Sequence, residues 1–177
     1  MLKNLLYVTG AILMCYTHAF GSELSISSES IKEGKIEKVH ACGRQGGRDI
    51  PLQLSIKGIP VESKYLAIIS DDPDAVRPAG RVWVHWNVFN VPVKGDSLDI
   101  AAGEKLEGDV GRTTGNSKGY EGMCPPDGVH TYRFAVFALS GKIELGGFFG
   151  PSAMTIDAFE GKHKDLILRK GIVFGKF

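Results

Sequence analysis

The apolar run Tyr65-Leu66-Ala67-Ile68-Ile69-Ser70 ends in Asp71-Asp72-Pro73-Asp74, and this junction constrains the fold more than any other stretch. A short, nearly continuous apolar run suits a strand covered on both faces. Pro73 has no N–H for a ladder, so the strand should stop near Asp72 and leave carboxylates at its end. A second apolar run, residues 82–91, carries one histidine between two tryptophans. Period-two alternation would put Trp83, His85, Asn87 and Phe89 on one face and Val82, Val84, Trp86 and Val88 on the other. A third segment, Cys124-Pro125-Pro126-Asp127-Gly128-Val129-His130-Thr131-Tyr132, is a stiff loop feeding a strand over 131–139. We read the acidic and the proline-stiffened segments as two walls of one pocket.

The remaining pattern is mostly β. Residues 25–38 alternate loosely around Gly34, and 52–56 alternate strictly, a half-buried strand. Residues 42–49 are glycine-rich and charged, hence a loop. The stretch 95–119 repeats glycine among charges and reads as one long irregular loop. Pro151-Ser152 reads as a helix start with Ser152 as cap, the helix running to about Leu168. A last short strand is expected over 171–177. Strands outnumber helices, so the fold class is mainly β with a C-terminal helix.

Lys3, an apolar stretch over 5–15 and small residues near Ala19 and Gly21 read as a secretory signal peptide over 1–21. One domain follows over 22–177, and the expected location is the periplasm or the exterior. The apolar stretch is too short to span a bilayer. Losing Lys3 with the leader leaves 20 basic residues against 20 acidic ones. Such a balance gives no bulk attraction for nucleic acid or an anionic membrane, so neither nucleic-acid binding nor stable membrane insertion is expected. Cys15 departs with the leader. The remaining Cys42 and Cys124 favour a disulfide in an oxidising compartment, with a metal pair or a reactive thiol as alternatives. A bridge would pin the wall at Pro125-Pro126.

Each polar residue has an ordinary reading beside a functional one. Acids beside a proline commonly cap a turn, a lone histidine in an apolar strand is usually a satisfied core group, and a loop histidine is usually solvated. Their combination near stiff prolines is what points to a site. A metal site built from His85, His130 and an aspartate lacks a recognised ligand spacing, so no metal and no cofactor are expected. Nucleophilic catalysis lacks a Gly-x-Ser-x-Gly elbow. Anion binding by histidines and backbone N–H groups demands the fewest missing parts.

At these residues the chain resembles the phosphatidylethanolamine-binding protein family, in its bacterial exported, Raf kinase inhibitor-like branch. The family's Asp-Pro-Asp-Ala-Pro motif appears as Asp72-Pro73-Asp74-Ala75-Val76, and its tryptophan-rich His strand as Trp83-Val84-His85-Trp86-Asn87. Its Tyr-x-Gly-Pro-Cys-Pro-Pro motif appears as Tyr120-Glu121-Gly122-Met123-Cys124-Pro125-Pro126, with His130-Thr131-Tyr132 after it. The resemblance implies a large central β-sheet packed on a smaller one, with a helix near the C-terminus. It implies a small anion pocket lined by Asp72, His85, Pro126, His130 and Tyr132, with Asp74 close by, and it supports the Cys42–Cys124 pairing. Where relatives show Gly-Asn-x-Ser-Pro this chain has Ile50-Pro51 after Arg48, which would put the Arg48 charge near the rim.

The expected function is therefore a non-enzymatic binding protein for a phosphate-bearing or carboxylate ligand, such as a phosphoethanolamine head group. His85 and His130 would donate to the anion, and Asp72 or Asp74 would meet an ammonium group. A protein-interaction module that inhibits a kinase or protease through residues 95–119 is the alternative, and a hydrolase is third.

Overall fold

The computed structural model describes residues 23–146 and 151–177; the expected leader lies outside the described residues. Among the described residues, ten strands and two α-helices follow in chain order: β1 Ser25–Ser27, β2 Ile31–Lys32, β3 Lys35–Ile36, β4 Leu54–Lys57, β5 Tyr65–Asp72, α1 Val76–Ala79, β6 Trp83–Pro92, β7 Ser97–Ile100, β8 Asp109–Val110, β9 Thr131–Leu139, α2 Ile156–His163 and β10 Ile167–Lys176. They form two sheets, a large one in the order β2-β3-β10-β9-β5-β6-β8 and a small one in the order β1-β4-β7. The fold is mainly β, with a large sheet, a smaller one and a C-terminal helix.

The apolar run of β5 does what its composition demands. Leu66 and Ile68 pack toward the small sheet with Leu54, Ile56, Ile100, Trp86 and Val136. Ala67 and Ile69, on the opposite face, pack with Phe89, Phe137, Ile156 and Phe159 beneath α2. Every residue of β5 except Tyr65 is buried, because it is an interior strand between β6 and β9. At about 25 cal/mol per Å² of apolar surface, this two-sided burial is the main cohesive force.

Three sequence expectations are corrected. First, the simple alternation along β6 fails. Its pairing slips between Ser70 and Asp71, so Trp86 lies opposite Ser70 while Val84 lies opposite Asp71. This β-bulge at His85 puts Val84 and Trp86 on different faces, and Asn87 and Phe89 face α2 rather than sharing a side with Trp83. Second, α2 starts at Ile156 and not after Ser152. Thr155 is the cap, its Oγ1 accepting from the Ala158 N–H at 3.2 Å. Asn87 holds Met154 extended through both its backbone groups, Nδ2 donating to Met154 O at 3.0 Å and Oδ1 accepting from Met154 N at 2.7 Å. The helix ends at His163, and the expected short last strand is the ten-residue β10, paired with β9 along its length. Third, residues 95–119 are not one loose loop. They contain β7, paired with β4, and β8, paired with β6.

Candidate functional site

The carboxyl end of β5 meets the start of β9 as the register of these antiparallel strands requires, with Asp71 opposite Arg133. Asp72 therefore comes beside His130, just before β9, and His130 Nδ1 sits 2.7 Å from Asp72 Oδ2. The other oxygen, Oδ1, accepts from the backbone N–H of Asp74 at 2.9 Å and of Ala75 at 3.2 Å. The turn-capping reading and the histidine-orienting reading of this aspartate are both correct, one for each oxygen. Asp71 points to the other face, where it accepts from Arg133 Nε at 2.7 Å and from the Ile156 N–H at 2.9 Å.

Asp72, His85, Pro126, His130 and Tyr132 line one cavity of about 220 Å³. The bulge in β6 turns His85 toward it, edge-on to Tyr132 with ring centroids 5.2 Å apart. His85 Nδ1 lies 2.8 Å from the Glu121 carbonyl oxygen and donates to it, which leaves Nε2 as the ring atom free for the cavity. The Tyr132 hydroxyl is buried without a hydrogen-bond partner among the described residues. Asp74 is not on the wall, since its Oδ2 accepts from the Thr131 N–H at 2.7 Å. Arg48 is absent from the wall too; Arg44 is the arginine at the cavity.

The electrostatics separate the two histidines. Burial pulls the His85 imidazole below its ordinary pKa, although the Glu121 carbonyl and the charges of Glu121, Asp72 and Asp71 act the other way. Burial also pulls on His130, but the hydrogen bond and charge of Asp72, with Asp127 and Asp74, outweigh it and hold that ring above its ordinary pKa. Burial, with the charges of Asp72 and Asp74, raises the Tyr132 phenol, so it stays a protonated donor.

The second wall is fastened by the Cys42–Cys124 disulfide, with Cα atoms 5.5 Å apart. Cys42 N–H donates to Met123 O at 3.0 Å, and Gln45 Nε2 donates to Pro125 O at 3.1 Å. Gly122 permits this contact, because a Cβ there would come within 2.6 Å of the Ala41 and Cys42 backbone. Sequence reasoning missed Trp83, Glu121 and Arg44 on the wall. Trp83 Nε1 donates to Glu121 Oε1 at 3.2 Å, while Glu121 Oε2 is buried with no partner among the described residues. Usable signals existed for Trp83, two residues before His85 on the same strand, and for Arg44, two residues after a bridged cysteine.

The class of molecule that emerges is a two-sheet β domain with a small pocket of mixed polar and apolar lining where strand ends meet a disulfide-pinned loop. The family description "Phosphatidylethanolamine-binding protein" matches residues 26–177, and the chain belongs to that family. It is 38% identical over 133 residues to a UPF0098 protein of Methanothermobacter thermautotrophicus, covering 73% of this chain and 78% of that protein. With the UPF0098 protein YbcL of Escherichia coli it shares 33% identity over 150 residues, 78% of this chain and 80% of YbcL. The crystal structure of E. coli YbcL, described as a member of the mammalian PEBP family, matches with a TM-score of 0.72 at 25% identity, covering 88% of this chain and 98% of that one. A phosphatidylethanolamine-binding protein homologue from Chlamydia trachomatis matches with a TM-score of 0.69 at 28% identity, covering 88% of this chain and 97% of that one.

Proposed function

We propose that the chain is a non-catalytic binding protein whose cavity takes a small phosphate-bearing or carboxylate ligand. The observation that carries this reading is the Tyr132 hydroxyl, buried without a partner on the same wall as the free Nε2 of His85. A buried donor left unmade costs about 1–3 kcal/mol, and a ligand oxygen in the cavity would recover that. His130, held toward its charged form by Asp72, supplies positive charge, and Arg44 supplies more at the mouth. The ammonium of a phosphoethanolamine group would meet Glu121, because the oxygens of Asp72 are occupied and Asp74 faces away. Binding rather than turnover fits a family named for binding a phospholipid. We also place the protein in an oxidising compartment, periplasmic or secreted, on the strength of the disulfide.

Isothermal titration with inorganic phosphate and with O-phosphorylethanolamine tests the reading. Both should bind the wild type, and His85→Ala should weaken both by about tenfold, the loss of one hydrogen bond to a charged group. Unchanged affinity in the variant would refute the pocket assignment.

A further inference from the structure

A site for a permanently charged anion presents donors, since such an anion has only acceptor oxygens to offer. This wall is mixed. Its donors are the Tyr132 hydroxyl and, at the mouth, Arg44; His130 adds charge, with Nδ1 on Asp72 at 2.7 Å and Nε2 3.4 Å from Asp127 Oδ1. Its acceptors are two. His85 gives its Nδ1 proton to the Glu121 carbonyl at 2.8 Å, so the uncharged ring presents a bare lone pair at Nε2. Glu121 adds a carboxylate whose Oε2 has no partner among the described residues.

Burial, against the pull of its neighbours, keeps the His85 ring neutral. The Glu121 carbonyl fixes the tautomer, Tyr132 packs edge-on from β9, and the charges of Glu121 and Asp72, with Asp71 on the far face of β5, pull the ring toward its charged form. His130 and Arg44, in the same cavity lining, carry the opposite sign. Burial outweighs the acidic neighbours and holds the imidazole below its ordinary pKa, so near neutral pH Nε2 accepts and does not donate.

Given the reading above, that this cavity takes an anion, we infer that it selects anions carrying a proton of their own: monoanionic phosphate or a phosphate monoester, whose P–OH donates to His85 Nε2. Sulfate and phosphodiesters, the head groups of intact phospholipids included, have no such proton. Each would set a bare oxygen against a bare nitrogen, with Glu121 adding repulsion. A buried acceptor that meets an acceptor forfeits its hydrogen bond and keeps its desolvation cost.

Titrations of the wild-type protein at about pH 6.5, where a monoester is still partly protonated, test this with four ligands. They are inorganic phosphate, O-phosphorylethanolamine (a monoester), sulfate, and glycerophosphorylethanolamine (the diester head group). The expected result is that the first two bind and the last two are weaker by about tenfold or more, the size of one lost buried hydrogen bond. Phosphate affinity should also fall as pH rises past the second phosphate pKa of about 6 to 7. In His85→Gln the amide can turn a donor to the ligand, so the gap between phosphate and sulfate should close to about threefold or less. Sulfate or the diester binding the wild type as tightly as phosphate would overturn the inference and leave the binding function standing. Failure of all four to bind would overturn both.

Discussion

Two histidines on one cavity wall carry opposite electrostatic burdens. His85 is buried against a carbonyl, whereas His130 is paired with the buried carboxylate of Asp72 at 2.7 Å. An NMR titration of the imidazoles should therefore find His85 below and His130 above the ordinary value of about 6.5. The consequence for stability has a definite sign. His130 has a folded pKa above its unfolded one, so its contribution is fully present below about pH 6.5 and is lost as pH rises through the folded pKa. Replacing His130 by Gln should remove that pH-dependent part from urea-unfolding midpoints measured between about pH 5 and 9. A midpoint difference from wild type that does not vary with pH would show that the Asp72–His130 pair carries no linkage. Glu121 belongs to the same scale. No motif pointed to its side chain, yet its carboxylate takes the Trp83 N–H and lies beside the cavity.

Helix α2 is fastened to the sheet by a charge placed under its first turn. Asp71 is fully buried and accepts from Arg133 through Nε and Nη2 and from the Ile156 N–H. Arg133 also reaches Asp157 on the first turn of the helix, at 3.1 Å. The guanidinium is held well above its ordinary pKa by the Asp71 hydrogen bond, so Arg133 keeps its charge. Removing one member of a buried pair strands the other. Arg133→Ala should cost about 3–5 kcal/mol in chemical denaturation, and Arg133→Ala with Asp71→Ala should cost less than the sum of the single changes. Additive costs would mean that the two side chains do not act together. The early helix start expected at Ser152 failed for a related reason. Propensity near Pro151 is local, whereas Asn87 on a distant strand claims both backbone groups of Met154.

Across the whole chain, the Cys42–Cys124 bridge spans 82 residues and joins the loop after β3 to the loop before β9. The chain-entropy relation assigns a closure of this length about 4.5 kcal/mol of unfolded-state destabilisation. Cys42→Ser/Cys124→Ser should lower the unfolding free energy by up to about that amount, and should weaken phosphate binding because Pro125-Pro126 loses its anchor. Phosphate affinity equal to that of wild type in the folded double variant would show that the bridge does not hold the pocket wall. The residues alone determined the two-sided burial of β5, its stop at Pro73 and the family motifs, and they favoured the Cys42–Cys124 bridge over a metal pair or a free thiol. These are local or compositional facts, since an apolar run, a missing N–H and a rare residue type act wherever the chain places them. Only tertiary structure decided the turn of His85 toward the cavity, the capture of Met154, and the placing of Trp83, Glu121 and Arg44 at the site. Each of these depends on pairing register and on partners dozens of residues away, and a β-bulge reverses side-chain direction without any mark in the alternating pattern.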